Sequence, residues 1–273
     1  MKILCDMHVH SKYSHDSRTP VEDSAAYAVR NNIAALAIAD HCDIQYYDSH
    51  GVFALIEGSF NEATATAKKF EGKVKILRGV ELGEAIWDME SANKILSGFD
   101  FDAVIASVHA VRYKDYTDPY STIDFSKMPP RDINGYMEAY FDEVLKTVTT
   151  VPCQIMAHLT CPLRYINGKY GLNVDAKDYE EKITPILKHI IDNSIAMEIN
   201  TSCVGSAYDC LMPEPWIIEK FKEMGGHLVT LGSDAHVFEN LCKSFDKAIS
   251  SLKRFGLTSY YYYENKLPVK CLL

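Results

Sequence analysis

The sequence has no apolar run approaching the ~18 residues that a membrane-spanning helix needs, no C-x-x-C pair among its eight cysteines, and no excess of basic residues. Each absence removes a class of function. A transmembrane role is excluded by the first, and zinc-finger or dithiol redox chemistry by the second, so the scattered thiols are expected to be reduced and structural. With a formal net charge of -9, the chain lacks the Lys and Arg surplus that displaces counterions from nucleic acid, and no nucleic-acid partner is expected. Also missing are a Pro/Gly/Ser-rich linker, a low-complexity block and a sequence repeat. Its amino terminus has no basic stretch followed by an apolar segment and a small-residue cleavage site, so a cytoplasmic location is expected.

What is present is a recurring pairing of apolar runs with polar ligand-type residues. Residues 3–9 form an apolar stretch that carries His8 and His10 at its exit, and alternation along a strand puts both rings on one face. Thr19, Pro20 and Glu22 read as a capping box with proline at the first helical position, opening a helix to about Arg30. The small-apolar run 34–39 suits a strand buried on both faces and ends at Asp40 and His41. A helix over about 57–70 precedes a strand over 74–81 that ends in Glu81, and the run 103–108 leads into His109. A Tyr-, Asp- and Pro-rich loop follows over about 111–130, then an amphipathic helix over about 132–149. The run 154–157 ends at His158. After a helix over about 178–192, the strand 195–200 ends in Thr201 and Ser202. A helix over about 214–224 leads to the strand 227–232, which ends in Ser233, Asp234, Ala235 and His236. A last helix over about 238–255 and a Tyr-rich tail, read as a terminal strand or packing segment, complete the chain.

Seven alternations of this kind predict one α/β domain over residues 1–273, a parallel (β/α) barrel with its ligand-type residues gathered at the carboxyl-terminal rim of the strands. Taken singly, these residues have ordinary explanations: Glu81 could pair with Arg78, and Asp234 could cap the helix after it. Taken together, the repeated placement of histidines just beyond apolar runs points to a metal centre. His189, in a helix, His227, at a strand start, and His50, in a loop, fall outside that pattern.

The segments His8-Val9-His10, Asp16, Asp40-His41, Gly79-Val80-Glu81, Ser107-Val108-His109, Ala157-His158 and Gly232-Ser233-Asp234-Ala235-His236 resemble, in order, the PHP (polymerase and histidinol phosphatase) superfamily of metal-dependent phosphoesterases. The stretch 198–202 is similar to its histidinol-phosphate phosphatase branch. This resemblance implies a distorted seven-stranded, TIM-like (β/α) barrel holding three divalent ions, Zn, Mn or Fe. It implies that His8, His10, Glu81 and Asp234 hold the first ion, that Glu81 bridges to a second held by His109 and His158, and that Asp16, His41 and His236 hold the third. His15 competes with Asp16 for that last place. The implied reaction is hydrolysis of L-histidinol phosphate to L-histidinol and phosphate by metal-bound hydroxide, with Glu81, Asp234 and His236 as the catalytic set. The alternative is a PHP-type phosphoesterase acting on a different or broader small-molecule phosphate ester.

A phosphoryl group also calls for forked cationic donors. Arg164, Arg112 and Arg18 are the candidates, in that order. Two departures from the branch pattern bear on the ester rather than the metals: Asn200-Thr201-Ser202 continues as Cys203-Val204-Gly205 without the expected basic residue, and Thr160 stands where an Asp is often found. Oligomeric state is left open by the sequence.

Overall fold

The computed structural model describes residues 4–273; Ile3, expected in the first strand, lies outside the described residues. In chain order the regular elements are β1 (Leu4–Val9), α1 (Val21–Arg30), β2 (Ile33–Ile38), β3 (His41–Asp43), α2 (Val52–Lys69), β4 (Lys75–Gly83), α3 (Met89–Gly98), β5 (Ala103–Ser107), α4 (Pro130–Thr150), β6 (Ile155–Met156), α5 (Glu180–Asp192), β7 (Ala196–Asn200), α6 (Pro215–Glu223), β8 (Val229–Gly232), α7 (Phe245–Arg254), β9 (Ser259–Glu264) and β10 (Leu267–Leu272).

The strands pair in parallel in the order β1-β2-β4-β5-β6-β7-β8, with β3 extending the line of β2 along β4. The sheet nearly closes. A parallel bridge joins Val9 to Ala235, and the Asp234 and His10 amides each donate across the seam, to the His8 and Ala235 carbonyls, at 2.9 Å. This is a distorted seven-stranded (β/α) barrel, as the sequence predicts. Strands β5, β7 and β8 are buried at every residue; both faces are covered, which suits the apolar or small residues of β5 and β8, while β7 also buries Glu198 and Asn200. Helices α2 and α7 bury single stripes, Val52/Ile56/Ser59/Ala63 and Phe245/Ala248/Ile249/Leu252, at helical spacing. Burial of each large aliphatic side chain in these stripes is worth about 1.5–3 kcal/mol.

Several boundaries differ from the sequence reading. Thr19 caps nothing: its hydroxyl donates to the His236 carbonyl, Pro20 takes the N-cap position without a side-chain bond, and Glu22 pairs with Lys69. Helix α2 begins at Val52, behind a left-handed Gly51, and α3 was not anticipated; Asp88 caps it through the Glu90 and Ser91 amides. The last helix starts at Phe245 instead of about Phe238, because Cys242 and Ser244 adopt left-handed conformations that no helix accommodates. The Tyr-rich tail does form a strand. It pairs antiparallel with β10, with Tyr260 and Tyr263 buried.

Candidate metal centre

The side chains of Asp6, His8 and His10 leave β1 on one side while Cys5, Met7 and Val9 enter the apolar core on the other. The His8 and His10 ring centroids are 5.0 Å apart, and both rings turn toward Glu81, which is completely buried on β4. Glu81 is the hub. Its Oε2 lies 3.4 Å from His8 Nε2, 3.7 Å from His10 Nε2 and 2.7 Å from His41 Nδ1; its Oε1 lies 3.1 Å from His109 Nε2 and 2.9 Å from His158 Nε2. Asp234, in the left-handed conformation after β8, faces His10 at 3.2 Å, and His236 faces Asp16 at 3.1 Å. Residues from successive strand ends thus converge at the rim where such barrels place their chemistry.

For His8, His10, His109 and His236 the far side of the ring explains why the near side is available to an ion. His8 Nδ1 meets Glu198 Oε1 at 2.7 Å, and His109 Nδ1 meets Asp43 Oδ1 at 2.9 Å. His236 Nδ1 meets the Asp234 carbonyl at 2.9 Å. For His10 the link has two steps: Ser14 Oγ donates to Asp40 at 2.6 Å, so it accepts from His10 Nδ1 at 2.9 Å. Each partner is an acceptor and fixes the proton on Nδ1, which leaves the Nε2 lone pair aimed into the cluster. Accordingly His8 Nε2, His10 Nε2, His236 Nε2, His41 Nδ1 and Glu81 Oε2 are buried without a hydrogen-bond partner. Buried polar atoms left unpaired cost free energy, and a divalent cation satisfies this mixture of imidazole and carboxylate donors. Trios of such atoms lie within 4.8 Å of one another in His8/His10/Glu81, His10/His41/His236, His41/Glu81/His109 and His15/Asp16/His41. Both His15 and Asp16 therefore reach the outer position.

The acids and imidazoles set one another's charge, and burial is outweighed at His8 by Glu198 and Glu81 and at His109 by Glu81 and Asp43, which raise both rings well above their ordinary range. Burial opposes ionisation of Glu81, yet the imidazoles of His109, His8 and His41 hold its carboxyl well below the usual range. Burial likewise opposes the Asp234 charge, and His10 and His8 hold it low. Burial, with His41 and His236 close by, drives His10 down to about 3, so that ring is neutral, as a ligand must be. His41 goes the other way: burial lowers it, but Glu81 and Asp43 lift it to about 9.

Around the cluster lies a cavity of about 550 Å³, whose wall includes Tyr46, His50, Tyr120, Arg164, Asn240 and Lys243. Among the three arginines singled out from the sequence, the structure brings only Arg164 into this wall. Arg112 lies over the Trp87 ring at 4.4 Å and Arg18 is exposed on the loop before α1, neither lining the cavity. Arg78, the ordinary partner considered for Glu81, binds Asp102 instead, at 2.9 Å. His189 is bound to the Val148 carbonyl and His227 is exposed ahead of β8. His50, expected to be a plain loop residue, is stacked on Tyr46 at the cavity wall.

Sequence reasoning missed the residues that hold the candidate ligands: Asp6, Asp43, Glu84 and the role of Glu198. Asp6 accepts from the Ser233 amide and hydroxyl and from the Cys242 amide, tying β1 to the Asp234 loop. Glu84 accepts from the His109 and Ala110 amides. The available signal was carboxylates within or just after apolar strands, at positions where a buried charge needs several donors.

A (β/α) barrel with a carboxylate-bridged imidazole cluster at its rim defines a class of metal-centred hydrolase scaffold. The PHP domain model matches residues 6–202, and the chain belongs to that family. A "Probable histidinol-phosphatase" of Clostridium acetobutylicum is 27% identical over 264 residues, covering 95% of this chain and 97% of the relative. The histidinol-phosphatase of Lactococcus lactis subsp. lactis is 26% identical over 258 residues, covering 92% and 91%. In fold, the chain matches the crystal structure of histidinol phosphate phosphatase from that organism, complexed with zinc, L-histidinol and phosphate, with a TM-score of 0.77 at 22% identity and coverage of 98% and 99%.

Proposed function

We propose that the chain is a metal-dependent phosphomonoesterase that hydrolyses L-histidinol phosphate to L-histidinol and phosphate. The observation that carries this reading is the set of histidines whose Nδ1 sides are held by Glu198, Asp43, Ser14 and a carbonyl while their Nε2 sides turn into the cluster around Glu81 and Asp16, those of His8, His10 and His236 buried without a hydrogen-bond partner. The histidinol-phosphatases that match nearly the whole chain support the choice of ester.

In this assignment His8, His10, Glu81 and Asp234 hold one ion, Glu81 with His109 and His158 a second, and Asp16, with His15 beside it, joins His41 and His236 around a third. Divalent ions there supply Lewis acidity, acidifying water and neutralising charge on the phosphoryl oxygens. The protein does the rest. Glu81 keeps the ligands within one charge-balanced cluster, Glu198 and Asp43 keep the rings from rotating, and Arg164 presents a permanently charged fork to the phosphoryl oxygens. The cavity, about 550 Å³, is within the size range of small-molecule sites.

The test is a substrate panel with metal-loaded protein. Phosphate release from L-histidinol phosphate far faster than from sugar phosphates or nucleotides is the expected result. Comparable rates across the panel would replace this reading with a broader phosphoesterase.

A further inference from the structure

Among the described residues only two Lys or Arg side chains contribute to the cavity wall, Arg164 and Lys243. Neither has a carboxylate within 4.0 Å among the described residues. Several hydroxyls that line the same cavity are already committed as donors. Ser202 Oγ donates to Asn200 Oδ1 at 2.7 Å, Ser233 Oγ to Asp6 Oδ2 at 2.5 Å, and Thr122 Oγ1 to the Pro119 carbonyl at 2.8 Å. They turn lone pairs, not protons, toward an incoming ligand. A phosphate monoester carries close to two negative charges at neutral pH and several acceptor oxygens, and among the described residues Arg164 and Lys243 are the lysine and arginine charges this wall offers it.

The backbone under Lys243 is built to stay in place. Its carbonyl accepts from Thr201 Oγ1 at 2.7 Å and its amide donates to the Asn240 carbonyl at 3.0 Å. The preceding Cys242 amide is bonded to the buried Asp6 carboxylate at 2.9 Å. On either side of Lys243, Cys242 and Ser244 hold left-handed conformations, with φ of 54° and 60°. Such conformations are costly for residues with side chains and persist where surrounding contacts enforce them. Asp6 also bonds Ser233 beside the proposed ligand Asp234, so one carboxylate fixes the metal loop and the lysine loop in register.

We infer that Lys243 is a second phosphoryl-binding cation, working with Arg164 from the connection between β8 and α7. This rests on the phosphomonoesterase reading but not on which ester is cleaved. Lysine acts here as a point charge on a flexible stem, so it can follow the phosphoryl group more readily than a fixed arginine fork.

The experiment compares wild type, Lys243→Met and Lys243→Arg, each loaded with manganese, by calorimetric titration with inorganic phosphate and, separately, with L-histidinol. Loss of one charge-assisted contact predicts phosphate Kd raised about 10- to 100-fold in Lys243→Met, recovered to within about 3-fold in Lys243→Arg, with metal content unchanged. Binding of L-histidinol, which has no phosphoryl group, stays at the wild-type level. An unchanged phosphate Kd, a loss of metal in Lys243→Met, or no phosphate binding by wild type overturns the inference. If wild type fails to hydrolyse L-histidinol phosphate while Lys243→Met still weakens phosphate, the choice of ester falls and the role of Lys243 stands.

Discussion

Replacing Glu198 by glutamine exchanges one oxygen for an amide nitrogen at nearly constant volume, yet it should disable the centre. Glu198 is completely buried; its Oε1 meets His8 Nδ1 at 2.7 Å, and its Oε2 accepts from the His158 amide at 2.8 Å and from Asn200 Nδ2 at 3.2 Å. Both ends of the carboxylate therefore face donors. A carboxamide has only one oxygen, so whichever way the substituted side chain is turned, its NH₂ points at a donor. If the oxygen serves the amide of His158, His8 loses its anchor; if it serves His8, the His158 amide is left unpaired. One unsatisfied buried donor costs about 1–3 kcal/mol, and loss of a carboxylate behind a ligating imidazole typically lowers metal affinity or activity by about 10- to 100-fold. The assay is metal affinity by competition with a chromophoric chelator, alongside thermal unfolding of the metal-free protein. Glu198→Gln should be destabilised by about 2 kcal/mol and bind its weakest ion at least about tenfold less tightly. Wild-type metal affinity in a folded Glu198→Gln protein would refute the claim that this residue sets the orientation of His8.

Metal uptake should also release protons. In the metal-free protein burial lowers the pKa of His41 but Glu81 and Asp43 raise it to about 9, above its ordinary 6.5. That contribution to stability is present below about 6.5 and disappears as pH rises through about 9. Bound metal displaces the proton, so apparent affinity should rise between pH 7 and 9, and calorimetry in buffers of different ionisation enthalpy should detect at least one proton released at pH 7; buffer-independent heats would contradict this. Gly232→Ala should lose metal and stability together, since a Cβ there would sit 2.0 Å from Glu198 Oε1 and 2.9 Å from His8 Cβ; overpacking of this kind costs about 1–3 kcal/mol, measurable by denaturant unfolding. Arg164→Ala should raise KM for the phosphate ester by about tenfold or more, whereas Arg112→Ala, which loses only stacking on Trp87, should change it by less than about threefold; equal effects would show that the cavity wall is wrongly drawn.

Much of the centre could be read from the sequence because barrel topology converts a one-dimensional regularity, ligands just past apolar runs, into a ring of residues. His109, His158 and Asp234 follow that rule, and His41 follows β2 as the first residue of β3, whereas His8 and Glu81 lie within the last residues of β1 and β4. The supports do not. Asp6 and Glu198 lie inside strands, where a lone acid has no sequence pattern of its own, and Asp43 becomes meaningful only when β3 is seen to continue β2. Strand β3 spans residues 41–43 and α3 follows the proposed ligand Glu81 closely, so both are masked by stronger signals nearby. The segment 238–244 carries helix-like composition, but Asp6 and Thr201 draw its backbone into left-handed turns. Long-range polar contacts decided that segment against local propensity. Lys243 illustrates the same limit, because its exposed surroundings in sequence give no sign that it faces the cavity.

Chelator-stripped and metal-reloaded protein, assayed for phosphate release from L-histidinol phosphate with ion content measured on the same samples, gives the most direct test. Turnover should vanish on stripping and return with about three divalent ions per chain. Full turnover by stripped protein, or none from protein holding its ions, would contradict the account.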